Sequence, residues 1–284
     1  MTFSGVHVPL ITPFDAAGEV ALDALRALAG EVLDGGAAGL VALGTTGEPA
    51  ALSPAEQQAV VDVVAQVCAE RDAVLTVGAN SVPAVRALRR WPGAGAALSL
   101  VPPFLRPGED GVLAYFAALA AASPVPVLVY HVPYRTAQPL SAAAMRRLAA
   151  IPGVAGVKWA AGGIDAVTVE LMADPPAGFA VLGGDDAYVA PLLALGAHGG
   201  ILASAHLDTG RFAELVRAWH AGDLPRAREL GRRLTALALA VFAEPNPTVV
   251  KAVLHAQGRI PTPAVRLPLV PAGADSLRAA LEQL

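Results

Sequence analysis

Eight short apolar runs, separated by stretches with the period of amphipathic helices, constrain this chain more than any other feature. They cover residues 6–11, 40–43, 74–77, 97–101, 127–130, 154–157, 180–182 and 201–203. Each is apolar at successive rather than alternate positions, as a strand buried on both faces must be. Between them, 22–33, 54–70, 83–90, 112–122, 142–150, 167–172 and 188–195 read as helices, and Ser53, Ser81 and Ser141 stand where N-caps belong. Eight strands alternating with helices predict an α/β chain whose parallel sheet closes on itself, a (β/α)8 TIM barrel. An open doubly wound sheet is the rival, but it would advertise a glycine-rich nucleotide loop. Neither G-x-G-x-x-G nor G-x-x-x-x-G-K-S/T occurs.

The alternation stops after Thr209. Residues 211–220, 225–243, 247–257 and 276–284 read as successive helices. The expected organisation is a barrel over 1–208 that carries the site, followed by a small C-terminal helical domain over 209–284. A chain of 284 residues has room for both.

Composition narrows the partners. Only 15% of residues are charged, the net charge is −4, and no run of like charges offers nucleic acid a basic patch. Two uncharged stretches, 111–130 and 187–206, are long enough to raise the question of a membrane. The first is broken by Pro124 and Pro126 and the second by Pro191 and a glycine cluster, so each reads as a helix followed by a buried strand. No basic segment precedes the first apolar run, and no secretory signal is expected. The single cysteine, Cys68, falls in an apolar helical pattern and allows no disulfide within the chain. A reducing cytoplasm fits, with small molecules as the partners.

Barrel chemistry sits at the carboxyl ends of the strands. There the lysine count is informative: of 20 Lys and Arg residues only Lys158 and Lys251 are lysine. A chain that uses arginine for its surface cations nevertheless ends its sixth apolar run in Lys158. Strand alternation puts Val154, Gly156 and Lys158 on one face, so Lys158 is expected to point into the barrel. An amine withdrawn from water and deprotonated attacks carbonyls; a lysine snorkelling from a strand end is the plainer alternative. Lys251, in a turn of helix after Pro247, reads as structural or superficial.

Four segments add to this. Gly44-Thr45-Thr46-Gly47-Glu48 follows the second strand, and successive backbone N–H groups there form a nest for a carboxylate, for a phosphate, or merely a turn. Tyr130 and Arg135 close the fifth strand, as a proton carrier and a bidentate carboxylate clamp, or as an aromatic cap with a surface arginine. Gly183-Gly184-Asp185-Asp186 has no histidine at ligand spacing, so no metal site is expected and the aspartates read as helix caps. Residues 196–200 allow a phosphate-binding turn, though a tight turn suffices.

Together these segments resemble the dihydrodipicolinate synthase and N-acetylneuraminate lyase family. The match runs from Thr12-Pro13-Phe14 through the 44–48 loop, Tyr130-x-Val132-Pro133-x-Arg135-Thr136, Gly156-Val157-Lys158 and Gly184-Asp185-Asp186 to Glu244-Pro245-Asn246-Pro247 and Lys251. The resemblance implies a class I lyase or aldolase that forms a pyruvate imine on Lys158, with neither metal nor organic cofactor, in a homotetramer or dimer. It gives Thr45 and Thr46 the pyruvate carboxylate, and Tyr130, through the Thr45 hydroxyl, the proton transfers. Arg135 takes the carboxylate of aspartate semialdehyde, and Gly184 and Ile201 lie beside the substrate. The leading expectation is a synthase condensing pyruvate with aspartate semialdehyde, of the kind used in lysine biosynthesis. A 2-oxo-3-deoxy sugar-acid aldolase or dehydratase is the alternative within the family; outside it stand a non-catalytic 2-oxo-acid-binding oligomer and a barrel enzyme for sugar phosphates or flavin.

The departures from the family pattern are specific. Phe104 stands where the synthases supply a tyrosine across the dimer interface. His131 and Tyr134 replace an asparagine and a small residue, and Trp159-Ala160 replaces an acidic residue and a serine. All are expected at the mouth of the site. Pro54, Gln57 and Pro103 occupy positions where a lysine-feedback pocket has polar or aromatic groups, so lysine is not expected to inhibit.

Overall fold

The computed structural model describes residues 3–284. All eight predicted strands form, as β1 (Gly5–Pro9), β2 (Gly39–Ala42), β3 (Val74–Gly78), β4 (Ala94–Leu100), β5 (Val127–His131), β6 (Val154–Trp159), β7 (Ala180–Gly183) and β8 (Gly199–Ile201). They pair in parallel in chain order, and β1 meets β8 through Gly5–Gly199, Val6–Gly200 and His7–Ile201, which closes the barrel. No sheet edge is left to cover.

The helices between them are α1 (Leu22–Asp34), α2 (Pro54–Glu70), α3 (Val82–Ala87), α4 (Gly108–Ala122), the single turn α5 (Pro133–Thr136), α6 (Ala142–Ala149), α7 (Ala166–Ala173) and α8 (Val189–Ala194). The serine caps form as expected. Ser53 Oγ accepts from Glu56 N while Glu56 Oε2 accepts from Ser53 N, a reciprocal box at the head of α2. Ser81 and Ser141 accept from Ala84 N and Ala144 N. Such caps are worth about 1 kcal/mol each.

Two apolar layers result. A large one lies between strands and helices, with Phe116, Leu119, Met145 and Val157 fully buried. A smaller one fills the barrel with Val41, Leu98, Leu128, Leu182 and Ile201. The parity of β6 departs from simple alternation. Its register against β5 shifts between Val127 and Leu128, which pair with Val154 and Gly156, so Ala155 is an extra residue in the ladder. Val154 therefore belongs to the outer layer rather than sharing a face with Lys158, and inward pointing holds only beyond the bulge.

Helices α9 (Thr209–Ala221), α10 (Leu224–Val241), α11 (Thr248–Ala256) and α12 (Ala274–Leu281) complete the chain. α9 packs on β1 and α8, against the barrel wall. α10 lies on α9 and on the turn that follows β7, so the segment linking α10 to α11 crosses the carboxyl end of the barrel. None of the described helices is long and apolar enough to cross a membrane.

Candidate active site

The seven residues singled out from sequence converge on one narrow cavity of about 20 Å3 at the carboxyl ends of the strands. Lys158 comes from the end of β6 and is 5% exposed. Its Nζ lies 4.4 Å from the centroid of the Tyr130 ring, which β5 places directly beside it in register. Among the described residues no carboxylate pairs with that amine. Gly184, just beyond β7, is what lets the lysine lie where it does: a Cβ there would stand 2.7 Å from Lys158 Cγ and 2.9 Å from Cε. Ile201 closes the floor from the end of β8.

Thr45 and Thr46 occupy a turn of 3₁₀ helix after β2, flanked by Leu43 and Glu48, both with left-handed φ (54° and 53°). Gly78 makes room for this bend, since a Cβ on it would meet Leu43 O at 2.1 Å. The N–H groups of Gly47 and Glu48 are spent on Gly44 O and Thr45 O. Those of Thr45 and Thr46 meet no acceptor among the described residues, which leaves two donors for an anion. Thr46 is buried and accepts from Asn246 Nδ2 at 2.9 Å. Thr45 is exposed, and no hydrogen bond joins its hydroxyl to Tyr130 in this structure. Arg135 stands at the rim without an ion-pair partner among the described residues, its guanidinium 5.7 Å from the Tyr134 ring centroid.

Neither aspartate side chain caps the turn that follows it. Asp185 Oδ1 accepts from the Tyr134 hydroxyl at 3.0 Å and Oδ2 from Gly162 N at 2.7 Å, tying together the loops after β5, β6 and β7. Asp186 is buried and its Oδ2 accepts from Ser204 N, while Oδ1 has no partner among the described residues. Burial pushes its carboxyl up to about 6, against the pull of that N–H and of the Lys158 charge. Both aspartates line the cavity.

Other expectations change. His131 and Trp159 do not reach the mouth. They face the outer layer, stacked with ring centroids 4.7 Å apart, and Trp159 Nε1 donates to Thr168 Oγ1. Lys251 is not superficial: it is fully buried and its Nζ donates to Glu48 Oε1 at 2.7 Å. The glycine cluster at 196–200 leads into the amino end of β8, at the barrel end opposite the cavity. Phe242 and Asn246, from the α10–α11 link, complete the wall. Sequence reading placed Asn246 in a motif but gave it no contact, because its partner lies 200 residues away. No three His, Cys, Asp or Glu side chains gather as metal ligands among the described residues.

The family model for the dihydrodipicolinate synthetase family matches residues 2–284. The chain belongs to that family. It is 39% identical to the 4-hydroxy-tetrahydrodipicolinate synthase of Neisseria meningitidis serogroup B, over 98% of this chain and 97% of that protein. It is 38% identical to the enzyme of the same name from Moorella thermoacetica, over 95% and 93%. Among solved structures, the dihydrodipicolinate synthase of Thermotoga maritima superposes with a TM-score of 0.94 at 28% identity, covering 100% of this chain and 98% of that one. The chloride-inhibited synthase of Acinetobacter baumannii complexed with pyruvate gives 0.93 at 32%, covering 99% of each.

Proposed function

We propose that this chain is a 4-hydroxy-tetrahydrodipicolinate synthase, a class I lyase that condenses pyruvate with aspartate semialdehyde through an imine on Lys158. One observation carries the reading. Among the described residues, a buried amine without a carboxylate partner lies against the face of Tyr130, in a cavity that also holds two free backbone donors and an unpaired arginine. Pyruvate needs such a set: donors at Thr45 and Thr46 for its carboxylate, and an amine within reach of its carbonyl.

The chemistry follows from the groups. Lys158 attacks the carbonyl carbon of pyruvate, and loss of water leaves a protonated imine. The imine withdraws electrons, so a methyl proton leaves and the resulting enamine attacks the aldehyde carbon, forming the new carbon–carbon bond. We assign these proton transfers to Tyr130, the hydroxyl-bearing ring nearest the amine, with Thr45 as its relay. Arg135 holds the far carboxylate of the aldehyde. Water or the substrate's own amine then releases the product from Lys158.

Phe104 and Leu105, 86% and 80% exposed in the loop after β4, support a homo-oligomer, dimer or tetramer, in which a second copy covers them. The single buried thiol, Cys68, supports a reducing cytoplasm as the compartment.

Borohydride added with pyruvate tests the reading, followed by the intact mass. One reduced adduct, lost in Lys158→Ala, is the expected result. An adduct that persists in that variant refutes the assignment, and no adduct with any 2-oxo acid refutes the enzyme.

A further inference from the structure

The cavity over Lys158 has one wall that the chemistry above does not use. Tyr134 lies in the single helical turn after β5, where the family pattern has a small residue, and its ring lines the cavity while remaining 58% exposed. It therefore stands at the rim, between the reacting atoms and solvent. The ring is fixed there. Its hydroxyl donates to Asp185 Oδ1, and Asp185 is held in turn by Gly162 N. Burial and the Asp185 charge both hold the phenol above its ordinary range, so it stays a donor. The neighbouring guanidinium of Arg135 lies over the ring's face.

We propose that Tyr134 is a specificity-determining residue that limits the length of the acceptor aldehyde; the proposal rests on the synthase reading above. Two physical effects act together. The pinned ring fills space along which a longer acceptor would extend, and the cavity, of only about 20 Å3, is far smaller than ligand sites usually are. The ring's face also steadies Arg135 where the carboxylate of a short acceptor ends. A small side chain at this position would remove both effects and leave Asp185 Oδ1 without its donor. The same cavity would then admit longer, polyhydroxylated aldehydes.

The test compares wild type with Tyr134→Ser and Tyr134→Phe, each given pyruvate and a panel running from aspartate semialdehyde to pentose and hexose aldehydes. Products are read by mass spectrometry. Tyr134→Ser is expected to gain about tenfold or more in kcat/KM on the long aldehydes. On aspartate semialdehyde it should lose about tenfold, mostly through KM, because Arg135 binds rather than reacts. Tyr134→Phe keeps the ring without its pin and should fall between the two. Borohydride trapping of pyruvate on Lys158, run on all three proteins, separates this proposal from its foundation. Adducts in all three with an unchanged acceptor panel overturn the role of Tyr134 and leave the synthase reading intact. A wild type that already turns over the long aldehydes overturns it equally. A wild type that traps no pyruvate overturns the synthase reading, and this proposal falls with it.

Discussion

Removing Lys251 should damage both the fold and the proposed pyruvate site, by an amount that its surroundings fix. Its Nζ is fully buried, 2.7 Å from Glu48 Oε1 and 4.0 Å from the centroid of Phe14, whose ring Arg266 also approaches at 4.4 Å. Glu48 Oε2 is held by Arg266 N. Lys251→Met therefore strands a buried carboxylate with one backbone donor, a change that costs about 3–5 kcal/mol. For a chain of this length that is a fall in Tm of about 5–8 °C. Glu48→Gln combined with Lys251→Met removes both charges, and it should recover more than half of the loss. Glu48 also ends the turn that carries Thr45 and Thr46, so half-saturating pyruvate in the trapping assay should rise in Lys251→Met. A pH signature is specific to this amine. Burial draws Lys251 down to about 8, with Glu48 opposing, against 10.5 for the free side chain. Between those values the folded chain binds one proton fewer than the unfolded chain, so this group makes stability rise with pH by about 1.4 kcal/mol per unit. The slope is read as the difference between wild type and Lys251→Met, because Cys68, pushed up to about 12, contributes the opposite slope in both. Calorimetry from pH 7 to 10 measures all of this. A single variant within about 1 °C of wild type, or a double variant that loses the sum of the two single losses, would refute the reasoning.

Three further outcomes follow from the same geometry. Gly184→Ala should cut the yield of pyruvate adduct about a hundredfold while the protein stays folded by circular dichroism, since its Cβ displaces Lys158; normal trapping would show the lysine free to move aside. Between pH 6 and 5, urea unfolding should lose about 2–3 kcal/mol. Burial holds His7, His131 and His206 near 4 against 6.5 unfolded, so the unfolded chain binds protons the folded chain refuses, and Asp186 at about 6 offsets one of the three. A flat profile across that interval would sink the claim. Millimolar lysine should leave turnover unchanged, because the Gln57 amide is spent on Pro49 O and Leu52 O and Pro54 has no side-chain donor; inhibition would show a lysine pocket built from other groups.

The barrel could be read from sequence because a strand buried on both faces has no polar positions to spare, and eight such runs recur at helix-length spacing. Lys158 was legible for a related reason: a chain that spends arginine on its surface makes a strand-end lysine conspicuous. What stayed hidden depends on parity or on distance along the chain. The bulge at Ala155 moves Val154 to the outer layer, and no local pattern marks it. His131 and Trp159 follow Tyr130 and Lys158 by one residue each and so point the opposite way, although proximity in sequence suggested a shared mouth. Asp185 and Asp186 look like caps because aspartate before a helix usually is one, yet their partners, Tyr134 and Ser204, belong to other loops.

The same contrast explains why the C-terminal helices bear on the proposed site. Lys251 reaches Glu48 and Asn246 reaches Thr46, each across about 200 residues, and both contacts end on the one turn that offers free donors to an anion. That turn is held at Leu43 and Glu48 in a conformation bulky side chains adopt only under constraint. The barrel supplies Lys158, Tyr130 and Gly184 on rigid strand ends, and Thr12, just after β1, donates its hydroxyl to Gly47 O in the turn. A buried ion pair and an amide from beyond α10 add to that constraint. The amine that would bind the carbonyl and the donors that would bind the carboxylate are thus positioned by different parts of the chain. The distance between them, on which imine formation depends, is set where those two parts meet.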